Sequence, residues 1–323
     1  MKNLLLLLSI ACAITTSFAS APAGFLFATF KGEGEANGEQ IYFALSQDGR
    51  AWSALNGAAP VLVSELGEKG VRDPYLLRSH DNTKFYLIAT DLCIHCRPDW
   101  KRAVQVGSRS LVVWESTDLV QWSEPRLIAV APEDAGCTWA PEAIYDEEQG
   151  DYVVFWASTT KRDEFEKHRI WAARTKDFRE FGAPFVFIEK PTTIIDTTIV
   201  RDGGKYYRFT KDEKYKAITM EVADRLSGPW RDMPEFSLAK LVGYEGPQCY
   251  LIEPATEGRA PVWGLILDHY AERKGYQPFV SRDLASGLFE PAEGFTFPFR
   301  FRHGSVLPLT AEEYRRVEAR YAR

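Results

Sequence analysis

The sequence lacks a basic stripe. Its 39 lysines and arginines stand against 45 aspartates and glutamates, a net charge of -6, which argues against nucleic acid and anionic membrane surfaces and favours a neutral partner. It has no Ser/Gly/Pro-rich or single-sign run to mark a linker, so residues 22–323 are expected to form one domain. Its long apolar run, Leu4 to Ile14, is too short to span a membrane. With Met1-Lys2-Asn3 before it and Ala19-Ser20-Ala21 after it, that run has the form of a signal peptide over residues 1–21 and predicts a secreted or periplasmic protein. A lipoprotein anchored through Cys12 is disfavoured because Ser9 stands where a lipobox has an aliphatic residue. Cysteine is scarce: Cys93, Cys96, Cys137 and Cys249 follow Cys12. No second CxxC and no HxxxH completes a metal site around Cys93-Ile94-His95-Cys96, which leaves a short-loop disulfide or buried free thiols. Helical periodicity is almost absent.

What is present is a repeat. A short β-rich run, then Ser or Thr, then an Asp-containing turn, then an aromatic, recurs around Asp48, Asp118, Asp177, Asp224 and Asp283. Between these units lie matching strand openings: Arg72-Asp73-Pro74, Trp139-Ala140-Pro141-Glu142, Ile195-Asp196-Thr197, Glu245-Gly246-Pro247 and Arg302-His303-Gly304. Five openings and five strand-turn-aromatic units predict an all-β chain folded as a five-bladed β-propeller. Only one strand can follow His303 before a polar tail from Glu312. The last blade is therefore expected to be completed by N-terminal strands, which leaves the ring no open edge.

In a propeller the first strand of each blade lines the axis, so Asp73, Glu142, Asp196, Glu245 and His303 should face one another at one rim. Like charges held close are costly, and such cost marks functional sites. Acetal hydrolysis needs one protonated carboxyl to protonate the leaving oxygen and one carboxylate to activate water or attack the sugar; it requires no cofactor. Trp139 offers a flat face for a sugar. Glu142, Arg72, Arg208, Arg302 and His303 are further candidate substrate contacts.

Taken in order, one per blade, these motifs resemble glycoside hydrolase family 43. The resemblance implies an inverting hydrolase in which Asp73 is the general base, Glu245 the general acid, and Asp196 the residue that orients the acid and raises its pKa. It also implies that His303 is the axial histidine beside which members often hold calcium or sodium, through water. The partner is then an oligo- or polysaccharide, with α-L-arabinofuranosides leading and β-D-galactofuranosides or β-xylosides behind. Arg72, where a small residue is usual, and Thr197-Thr198 after Asp196 depart from the pattern in ways that bear on substrate choice. A non-catalytic carbohydrate-binding propeller is the alternative.

Overall fold

The computed structural model describes residues 21–322, so the expectations for the signal peptide and Cys12 lie outside the described residues. Twenty strands form five four-stranded antiparallel sheets. Blade 1 runs outward from the axis through Val71–Arg78, Phe85–Asp91, Ser110–Ser116 and Arg126–Ala129. Blade 2 follows with Trp139–Asp146, Asp151–Ser158, Arg169–Thr175 and Phe185–Ile188, and blade 3 with Ile194–Asp202, Lys205–Asp212, Ala217–Ala223 and Arg231–Asp232. Glu245–Glu253, Val262–Asp268, Tyr276–Ser281 and Glu290–Pro291 make blade 4.

Blade 5 joins the two ends of the described chain. Its inner strand Gly304–Leu309 pairs with Gly24–Thr29, in register from Gly24 opposite Leu309 to Thr29 opposite Gly304; Tyr42–Ser46 and Ser53–Ala54 complete it. The ring closes where the Ser305 hydroxyl accepts from Leu76 N at 2.6 Å and donates to Pro74 O at 3.2 Å in blade 1.

Burial explains the strand pattern. The second strands of blades 1 and 4 are buried at every position, sandwiched between neighbouring blades, so they read as continuous apolar runs and not as alternations. The Asp-containing turns have a common mechanism. Asp118 Oδ1 accepts from Val120 N and Gln121 N at 2.9 and 2.7 Å while Ser116 Oγ accepts from Leu119 N at 2.9 Å. Asp48 with Ser46 and Asp177 with Thr175 repeat the arrangement. Such side chains replace backbone partners in a tight turn. The fourth unit departs from the repeat: Asp224 pairs with Lys205 and Arg231.

One sequence reading needs revision. The polar tail is a helix, Ala311–Tyr321, opened by a Thr310/Glu313 capping box and burying Val317 and Tyr321. Of the alternatives left open for the cysteines, the short-loop disulfide holds for Cys93 and Cys96, while Cys137 and Cys249 are buried free thiols.

Candidate active site

The site is built by one local device repeated in four blades. The inner strands of blades 1 to 4 each carry a register shift near their start. The residue there adopts a left-handed conformation: Asp73 at φ 51°, Ala140 at 47°, Asp196 at 48° and Gly246 at 54°. A β-bulge re-aims the side chains around it, and left-handed backbone in non-glycine residues concentrates at functional sites. Asp73 and Asp196 occupy this position itself; Glu245 precedes it by one residue and Glu142 follows it by two. The carboxylates thus come from three different positions of the repeat, which the strand openings alone did not distinguish.

His303 is the hub. Its Nδ1 lies 3.2 Å from Asp73 Oδ1 and 3.7 Å from Asp196 Oδ2, and its Nε2 lies 3.2 Å from Glu245 Oε1 and 3.6 Å from Asp268 Oδ2. Nε2 is buried and none of these neighbours is aligned to accept a hydrogen bond from it. Asp73 Oδ2 accepts from Thr90 Oγ1 at 2.9 Å, and Asp196 Oδ2 accepts from Gly246 N at 3.0 Å. Two cations hold Glu245: Lys211 Nζ donates to Oε2 at 2.7 Å and Arg302 Nη2 to Oε1 at 3.0 Å. Lys211, only 2% exposed, also pairs with Glu213 at 2.6 Å, and Arg302 Nε donates to Asp268 at 2.6 Å.

These contacts separate the carboxyls electrostatically. Burial would raise Asp73, but the hydrogen bond and charge of His303, with Arg72 and Thr90, outweigh it and hold the carboxyl below the usual aspartate range. Asp196 goes the other way: burial, reinforced by Glu245 and Asp73 against His303 and Lys211, lifts it to about 6. Glu245 also resists ionisation through burial, yet His303 and Lys211 hold it low, a direction opposite to that expected of a general acid. The three surrounding carboxylates in turn raise His303 well above the ordinary histidine value despite its burial. Asp196 and Glu245 form a close pair, with donor atoms within 4.8 Å of each other, so the charge on Glu245 helps Asp196 keep its proton.

A cleft of ≈ 540 Å³ opens over this cluster, within the range of small-ligand sites. Asp73, Asp196, Glu245 and His303 form its floor, Trp139 and Trp100 one wall, and Tyr270, Arg273 and Arg300 part of the rim. Trp139 stands 5.2 Å from His168 and 6.1 Å from Trp100, centroid to centroid. Below the floor a cavity of ≈ 30 Å³ lies among Glu142, Tyr276 and the two aspartates.

Of the expected substrate contacts, Trp139, Arg72, Arg302 and His303 line the cleft. The structure does not bring Glu142 or Arg208 there. Glu142 lines the cavity below, because the bulge at Ala140 turns Trp139 to the cleft and Glu142 down the axis; burial and Asp196 raise its carboxyl well above the ordinary value, with Thr198 opposing. Arg208 lies opposite Glu221 across two strands of blade 3 and is buried against it at 2.7 and 2.9 Å. Arg72 is also largely committed, to Glu39 at 2.7 Å and Glu33 at 3.2 Å. Lys211, Asp268, Thr90 and Trp100 were missed. Asp268 was legible as the charge ending an apolar second strand, directly opposite Glu245.

Asp196, Glu245 and His303 present three donor atoms within 4.8 Å of one another, but as direct ligands they do not fit a calcium ion. Such ions take six or more oxygen ligands. Here one donor is a nitrogen, both Glu245 oxygens already accept from cations, and Lys211 and Arg302 stand beside the position.

A propeller with acidic residues converging on a tryptophan-walled cleft is the arrangement that the sequence motifs implied. The family model described as "Probable glycosyl hydrolase domain", related to glycosyl hydrolase family 43, matches residues 21–315. The chain belongs to this family 43-related group. An α-L-arabinofuranosidase of Bifidobacterium longum subsp. longum is 33% identical over 211 residues, 59% of this chain and 20% of that protein. The chain therefore matches only about a fifth of this relative's length. Among solved structures, the xylan β-1,4-xylosidase of Bacillus halodurans C-125 aligns with TM-score 0.53 and 14% identity over 92% of this chain and 59% of that one. The family 43 protein BlXynB of Bacillus licheniformis aligns at 0.51 and 15% over 91% and 58%. These two likenesses show the propeller fold of the group.

Proposed function

We propose that the protein is an exported glycoside hydrolase that cleaves furanosidic bonds in oligo- or polysaccharides, α-L-arabinofuranosides first, with inversion. One observation carries the reading: Asp73, Asp196 and Glu245 converge on His303 beneath a single cleft, an arrangement that holds Asp73 below the usual aspartate range and lifts the buried Asp196 to about 6. Divergent protonation of neighbouring carboxyls is what general acid-base hydrolysis requires. Asp73 takes a proton from water as the water oxygen attacks the anomeric carbon. The glycosidic C–O bond breaks, and its oxygen receives a proton from the Asp196–Glu245 pair, with Glu245, which lines only the cleft, as the terminal donor. The His303 ring, one nitrogen 3.2 Å from each of Asp73 and Glu245, keeps the two apart, consistent with the wide separation that admits water in inverting enzymes. The arabinofuranosidase relative supports the choice of sugar, and the apolar run Leu4 to Ile14 supports export.

The test is release of 4-nitrophenol from α-L-arabinofuranoside, β-D-galactofuranoside and β-D-xyloside. Asp73→Asn and Glu245→Gln should each lower turnover of the preferred glycoside by about 10²–10⁴ with far-UV circular dichroism unchanged. Comparable turnover in the variants would sink these roles. Silence of the unmodified protein on all three sugars would favour a carbohydrate-binding propeller.

A further inference from the structure

The positive charges around the cleft fall into two groups. On the floor, Arg72, Arg302 and Lys211 each meet a carboxylate within 2.7 Å. At the rim, Arg273 and Arg300 are exposed and, among the described residues, neither has a carboxylate within 4.0 Å. The nearest acid in sequence to Arg273 is Glu272, which is taken by Lys274 and lies 3.7 Å from His269.

The backbone brings these two arginines to the same stretch of the cleft. Arg273 closes the short turn Tyr270–Glu272 in a left-handed conformation, φ 56°. Two residues on, Gly275 at φ 72° leaves the space that the Arg300 stem fills; a Cβ there would meet Arg300 Cγ at 2.8 Å. Gly32, at φ 106°, makes room on the other side: a Cβ built on it would lie 3.5 Å from Arg302 Nη1 and 3.8 Å from Arg300 Nη2. Two guanidiniums therefore share one side of a glycine, and the only acid near Arg302 Nη1 is Glu33, at 4.0 Å. Arg302 is neutralised by Glu245 and Asp268, so the uncompensated positive charge on this side of the cleft, which Glu33 also lines, is that of Arg273 and Arg300.

We propose that the lip formed by Arg273 and Arg300 is a subsite for an acidic sugar, a uronate carried by the glycan next to the furanoside that is cleaved. The planar guanidinium fork matches a carboxylate, and uronates are carboxylate-bearing sugars of polysaccharides. Trp100, 47% exposed and lining the same cleft, supplies an apolar face for the same glycan. The expectation of a neutral partner, drawn from overall charge, is thereby replaced by a local one. The proposal rests on the hydrolase reading above.

The experiment uses the purified chain and an arabinogalactan bearing glucuronate, compared with the same polymer after carbodiimide activation and borohydride reduction of its carboxyls. Arabinose release is measured on both. The native-to-reduced ratio of kcat/KM should be about tenfold, the value of one well-formed charged hydrogen-bond pair. It should fall towards one in Arg273→Gln/Arg300→Gln and as sodium chloride is raised. A ratio of one in the unmodified protein, or a ratio that survives the double substitution, overturns the subsite. If the protein releases no arabinose and no 4-nitrophenol, the hydrolase reading fails by itself. Retardation in gels containing native or reduced polymer then decides the lip alone: equal retardation refutes it, and preference for the native polymer lost in the double variant upholds it.

Discussion

At the residue scale the cluster around His303 is a set of opposed protonation tendencies, and it makes the pH dependence derivable. In the proposed mechanism activity needs Asp73 ionised and a proton on the Asp196–Glu245 pair. Asp73 keeps its charge to below the usual aspartate range, and Asp196 loses its proton as pH rises through about 6. The rate should therefore be greatest in the acidic window between these limits and fall above about pH 6, as a pH profile of kcat/KM will show; full activity sustained to pH 8 would contradict the assignment of the proton. Asp73, Asp196 and Glu245 were legible in the sequence because each belongs to a strand-opening motif. Lys211 and Arg302 as clamps on Glu245 were not, since their meeting depends on a strand of blade 3, an inner strand of blade 4 and a turn before blade 5 coming together.

At the element scale the Asp-containing turn explains why the repeat was readable: one chemistry serves the same turn several times over. Asp118→Ala removes the acceptor for two backbone amides and should cost about 1 kcal/mol, as loss of a comparable cap does. Thermal unfolding should then begin a few degrees lower, with glycosidase turnover intact; Asp224→Ala, where the side chain only meets exposed Lys205 and Arg231, should leave the transition in place. The terminal helix is the element the reading lost. Its signals were present, Thr310 with Glu313 and the i, i+4 pair Val317 and Tyr321, but eleven residues rich in charge look like a solvated tail until a blade surface is there to receive two side chains.

At the scale of the whole molecule, closure through blade 5 makes the propeller one cooperative body. Phe27, fully buried on the closing strand, packs 4.9 Å from Phe301 and 5.2 Å from Trp52, centroid to centroid. Phe27→Ala should cost about 3–5 kcal/mol and shift a single urea transition seen alike by tryptophan fluorescence and circular dichroism. A separate early transition, with blades 1 to 4 still folded, would show that closure is local. The blade count, the closure by N-terminal strands and the three acidic positions followed from the sequence by itself, because strand alternation, turn chemistry and repeat order are local and the propeller places equivalent positions around one axis. Which carboxyl holds the proton, why Glu142 and Arg208 miss the cleft, and which arginines remain unpaired at its rim were decided only by the tertiary structure. Those properties depend on burial and on distances of a few ångströms between different blades, which no single stretch of chain encodes.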